Sequence, residues 1–99
     1  MKNDNDYQLL QQLKLGREVA FRAIFDKYWW GIFTAANELL KSDDLAKEVV
    51  DNLFGALWTE RLSITDLRQF IFHKSNELII AALHRIARER KGKGGKPSG

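Results

Sequence analysis

Seven side chains within one stretch, Arg68, His73, Lys74, Asn76, His84, Arg85 and Arg88, carry the chemistry most open to a ligand. Guanidinium and ammonium groups pair with phosphate oxygens, while amide and imidazole groups can bond base edges. The first kind positions a protein on nucleic acid and the second lets it select sequence. An aromatic ring nearby can stack on an unpaired base, a contact worth ~1–3 kcal/mol. Trp30 and Phe72 fall beside the main apolar stripes and are the candidates, against the core-packing role that suits most aromatic residues.

Catalytic groupings do not emerge. His73 and His84 are eleven residues apart, about three helical turns, too far to share one metal on a straight helix. Asp43-Asp44 reads as helix capping, because an acid-base pair needs a partly desolvated cleft to separate its pKa values. The glycines cluster near the C-terminus rather than in a phosphate-binding loop between strand and helix. Without Cys there is no disulfide, thiol nucleophile or thiolate metal site. We therefore expect no enzyme activity, no metal and no cofactor.

The elements that must hold these groups read as helices throughout. Asp4 to Asp6 offer caps for a short first helix bearing Tyr7, Leu9, Leu10 and Leu13, which Gly16 should stop. Phe21, Ile24, Phe25, Tyr28, Ile32, Phe33, Ala36, Leu39 and Leu40 recur at steps of three and four, predicting a helix over about 18–41. Ser42-Asp43-Asp44 caps a third helix over about 44–59. Its inward face is Leu45, Val49, Val50, Leu53, Phe54, Leu57 and Trp58, with Asp43, Lys47, Glu48, Asp51 and Asn52 outside. A connection over 60–65 ends in the cap pattern Ser63-Ile64-Thr65-Asp66, after which neither Gly nor Pro occurs until Gly92. That segment is one long helix or two nearly continuous ones. The string GKGGKPSG cannot bury a core and reads as a disordered tail over 92–99.

With 44% hydrophobic and 11% aromatic residues among 99, the chain suffices for one domain, over 1–91. Charge is divided unevenly along it. Residues 1–67 hold eight basic and eleven acidic side chains, whereas residues 68–99 hold eight basic and two acidic. A basic end of this kind attracts polyanions, nucleic acid or acidic lipid alike. No run approaches the ~20 apolar residues of a membrane span, and the first residues lack the apolar centre of a signal peptide. The expected setting is the cytoplasm, without membrane insertion.

The order of motifs resembles region two of bacterial RNA polymerase sigma factors of the extracytoplasmic-function group. The opening Leu9-Leu10, Leu13, Gly16, Ala20-Phe21, Ile24-Phe25 and Tyr28 follows that family's leucine pair, glycine, Ala-Phe and spaced aromatic. The run Asp44 to Trp58 is similar to its central helix, placing Ala46, Val49, Val50, Leu53, Phe54, Leu57 and Trp58 on packing positions. Leu67-Arg68-Gln69-Phe70-Ile71-Phe72 with Asn76 looks like the entry to its promoter-reading helix.

The resemblance spans about Leu9 to Lys91. It implies an all-α, compact three- to four-helix bundle with a long C-terminal helix. Such a domain binds core RNA polymerase, through the clamp helices of the largest subunit, and recognises and melts the minus-ten promoter element. Glu48, Asp51 and Asn52 fall on its polymerase-binding positions; Arg68, His73, Lys74, Asn76, His84, Arg85 and Arg88 are the DNA-side candidates by their own chemistry. An anti-sigma factor is a further implied partner.

Departures from the pattern are specific. The family's Asp, Gln and Glu become Glu48, Asp51 and Asn52, so acid and amide trade places. Gly55 stands mid-helix where a larger residue is usual, as if to admit a close neighbour. Basic residues that ordinarily follow the asparagine are delayed to Arg85, Arg88, Arg90 and Lys91. The family's second, helix-turn-helix domain is not among these 99 residues. A helical interaction module that has lost promoter reading, binding polymerase or a regulatory protein through Glu48, Asp51 and Asn52, is the alternative. A basic amphipathic helix on a membrane surface is a weaker third.

Overall fold

Local chemistry places the helix boundaries. A computed structural model describes the backbone of residues 3–95 and the side chains of residues 5–89. Helix α1 spans Asn3–Lys14 and ends in a Schellman motif. Gly16 takes φ 82°, its N–H donates to Leu13 O at 2.8 Å, and the Arg17 N–H donates to Gln12 O at 3.2 Å. The Asp4–Asp6 stretch expected to cap α1 instead lies inside it.

Helix α2 spans Glu18–Leu40. It closes on Lys41, a non-glycine residue in the left-handed region at φ 53°. Helix α3 spans Asp43–Thr59, capped by Ser42, whose Oγ accepts the Leu45 N–H at 3.1 Å. Asn37 Nδ2 donates to Asp43 Oδ1 at 2.8 Å across the α2–α3 corner. The connection after α3 contains a short 3-10 turn, Arg61–Ser63. Asp66 then caps the last helix, its Oδ1 accepting the Gln69 N–H at 3.1 Å.

Helix α4 is a single continuous element, Leu67–Gly95. It runs past the Lys91 end expected from composition, since glycine disfavours a helix by about 1 kcal/mol without forbidding it. Residues 96–99 of the expected tail lie outside the described residues.

The four helices form an all-α bundle, with no strand among the described residues. Its core draws on all four α-helices and on Ile64 of the connection: Leu10 and Leu13, Ile24, Ile32 and Ala36, Val49, Leu53 and Leu57, Ile64, then Ile71, Ile79 and Ala82. Helix α3 packs on both α2 and α4, which also meet each other, while α1 packs on α2 and α4, reaching the start of α4 through Asp6 and Arg68. Among the described side chains the last α4 residue packed on the core is Ile86, while the helix backbone continues to Gly95. The radius of gyration is accordingly 16.4 Å, against about 13 Å for a compact chain of this length. Among the described residues no helix is long and apolar enough to cross a membrane.

Candidate nucleic-acid interface

Three of the groups singled out on α4 or beside it share one groove. Arg68, Phe72 and Asn76 recur at i, i+4 and i+8, one stripe of the helix. Opposite them α2 presents Gly31, Ala35 and Leu39, and the space between is an open groove of about 580 Å³. Ile32, Ile71 and Ile79 line its floor, with Ser75 and Gln69 among the polar groups at its edge. A Cβ built on Gly31 would meet nothing within 4 Å. The small α2 residues thus leave room rather than permit internal packing.

Both aromatic candidates are exposed, Phe72 at 63% and Trp30 at 58%. They are not equivalent. Trp30 ends an aromatic series on α2, stacked on Phe33 with centroids 5.9 Å apart and edge-on to Trp29 at 5.2 Å. Phe72 alone lines the groove with Arg68 and Asn76.

A half-buried carboxylate ties together two of the groove's lining residues, Tyr28 and Arg68. Asp6 of α1 accepts hydrogen bonds from Lys27 Nζ and, at 2.5 Å, from Tyr28 Oη. Arg68 Nε lies 3.9 Å from its second oxygen. Partial burial works against the ionised carboxyl, but the two hydrogen bonds and the Lys27 and Arg68 charges outweigh it and hold its pKa below the ordinary 3.8. Burial, then the bond to Asp6 and its negative charge, push the Tyr28 hydroxyl up to about 12, against a smaller opposing effect of Arg68. Tyr28 therefore remains a proton donor at neutral pH.

The remaining α4 candidates divide by face. Lys74 lies 3.4 Å from both Glu60 Oε2 and Glu77 Oε1. Burial lowers its pKa, and the two carboxylates more than reverse this, raising it above 10.5. Arg85, eleven residues on and hence on the same side, donates from Nη1 to Glu48 Oε1 at 3.1 Å. These two cations are already paired with carboxylates at the α3 side. His73, His84 and Arg88 are exposed and make no ion pair among the described residues. His73 lies instead beside Ser63, Asp66 and Phe70. The seven groups thus do not make one surface.

On α3, Glu48, Asp51 and Asn52 are all exposed on one flank. Gly55 lies among them, and a Cβ there would also meet nothing within 4 Å. No internal neighbour requires this glycine, contrary to the close-approach role its mid-helix position suggested. Sequence reasoning missed Asp6, the Glu48–Arg85 pair and Arg61. Arg61 stacks over Trp58 at 4.1 Å and donates to Trp58 O at 2.9 Å. Each depends on a partner brought near only by folding or by the 3-10 turn. Among the described residues no three His, Asp or Glu side chains gather as metal ligands.

No family model, curated protein or solved structure matches the chain.

Proposed function

We propose that this domain acts in transcription initiation, joining core RNA polymerase to promoter DNA and holding the melted minus-ten strand. The observation that carries the reading is the α2–α4 groove. There an exposed ring, an amide and a guanidinium line one open apolar slot. Those are the groups that suit a base face, a base edge and a phosphate. The exposed Glu48, Asp51 and Asn52 flank of α3 is the polymerase-facing surface of the same reading.

Fluorescence anisotropy on polymerase-bound protein, with single-stranded minus-ten and scrambled oligonucleotides, tests it. Phe72→Ala should weaken binding about tenfold or more, as expected from loss of one stacked base. Arg68→Ala should weaken all strands alike and flatten the salt dependence. Asn76→Ala should reduce discrimination and leave non-specific affinity nearly unchanged. If none of the three alters strand binding, promoter reading is refuted.

A second reading is favoured by the carboxylates that already occupy Lys74 and Arg85, which leave less free positive charge on α4. In it the domain is an interaction module that uses the α3 flank alone. Both readings require Glu48→Lys with Asp51→Lys to reduce retention of core polymerase in a pull-down while helicity is kept. Undiminished retention would exclude that flank. Only the module reading has polymerase binding without any strand preference.

A further inference from the structure

We propose that Glu48 masks Arg85, so that a cationic partner on the α3 flank and a polyanion on the basic end of α4 favour each other's binding. The inference rests on the assignment of the α3 flank above and on the basic residues gathered from Arg85 onward. Among the described residues this is the one ion pair joining the α3 flank to α4 beyond Ala82. It thereby links a group of one surface directly to a group of the other.

The geometry makes the pair easy to exchange. Arg85 Nη1 and Glu48 Oε1 are 3.1 Å apart, and the two side chains are 50% and 53% exposed. Each can therefore reach a solvent-borne partner by rotation of its own side chain, while the backbones of α3 and α4 stay packed through the core. A guanidinium held by Glu48 is a weaker phosphate partner, and a carboxylate held by Arg85 is a weaker partner for a cation. Whichever ligand arrives first separates the pair, and the second then meets an unpaired group. Linkage makes the effect reciprocal. Solvent screens an exposed pair, so the expected coupling is modest, about two- to fivefold in affinity.

A double-mutant cycle on the full chain tests this with heparin as the polyanion, at low ionic strength. Glu48→Gln removes the charge and keeps the shape, and should tighten heparin binding about two- to fivefold. In an Arg85→Gln background the same change should have almost no effect. An equal gain in both backgrounds would mean only a general loss of negative charge, and the masking idea would fail. It would fail likewise if Glu48→Gln produced no gain, or if heparin did not bind.

Minus-ten and scrambled strands, run beside heparin, separate this outcome from the fate of promoter reading. Equal binding of the two strands with the cycle intact would overturn promoter reading and support masking. A strand preference with additive effects would do the reverse.

Discussion

Helices α3 and α4 both begin at a side-chain cap, yet they differ in how far their neighbours follow them. On α3, Ala46, Val49, Val50, Leu53, Phe54 and Leu57 are buried from first turn to last, and the opposite flank is polar. On α4 the stripe begins the same way with Leu67 and Ile71, continues through Ile79 and Ala82, and among the described side chains last touches the core at Ile86. The reason is length. With 23 and 17 residues, α2 and α3 are about 35 and 26 Å long, whereas the 29 residues of α4 reach about 43 Å. Within the packed part of α4 the face decides as well: Ile80 and Leu83, turned off the stripe of Ile79, Ala82 and Ile86, remain at 53% and 37% exposure.

The sharpest break of that contrast is a pair of truncations. Leu57 is fully buried, so Leu57→Ala should destabilise by about 2–5 kcal/mol in urea unfolding. Leu83→Ala removes the same atoms from a partly exposed side of α4 and should stay within about 1 kcal/mol. Equal losses would mean that this side of α4 is as firmly packed as the inner face of α3.

Next in size is the tie between the first turns of α1 and α4. Replacing Asp6 by Asn weakens a carboxylate that accepts from Lys27 and Tyr28 and faces Arg68, and should cost about 1–2 kcal/mol. Because the folded pKa of Asp6 lies below 3.8, its contribution is complete above 3.8 and is lost as pH falls through the lower folded value. The parent should lose stability more steeply than Asp6→Asn on acidification from about pH 5 to about pH 2. Parallel curves would remove Asp6 from the account of acid sensitivity.

The same contrast explains what could be read in advance. The Ser42 and Asp66 caps and the Gly16 stop depend on residues within three positions, so the four helices were legible in the sequence. The exposure of Glu48, Asp51 and Asn52 followed from the period of α3. Asp6 was read as a cap because its partners Lys27, Tyr28 and Arg68 come from two other helices. The sequence presents Arg85 only as a phosphate partner, because Glu48 is brought to it by the packing of α3 on α4. The groove needed the relative register of α2 and α4. Its trace in sequence was the i, i+4 spacing of Gly31 and Ala35 opposite Phe72 and Asn76, which is a pattern only once the helices are paired.

The exposed flank of α3 allows a test in the stabilising direction. Gly55→Ala adds a methyl group into open space and reduces the freedom of the unfolded chain, so stability should rise by about 1 kcal/mol. A gain in urea midpoint with reduced polymerase retention would show that a partner approaches the bare backbone at Gly55. A loss of stability would contradict the open environment of that site.

The smallest effect lies at the corner that starts α3. Lys41 adopts φ 53° and ψ 38°, a left-handed conformation that costs an L-residue with a Cβ about 1–2 kcal/mol. Glycine avoids the clash but adds unfolded-chain entropy worth about 0.5–1 kcal/mol. The 2.8 Å bond from the Lys41 N–H to Asn37 O uses only backbone atoms and is unaffected by the exchange, as is the neighbouring Asn37–Asp43 bond. Lys41→Gly should therefore stabilise by a few tenths of a kcal/mol, about the difference between the two opposing effects. Thermal and urea unfolding of the variant beside Gly55→Ala would place the two glycine changes on one scale. Destabilisation by Lys41→Gly would mean that the lysine side chain itself helps hold the corner, and that the α2–α3 junction does not rest on its backbone and the Asn37–Asp43 bond alone.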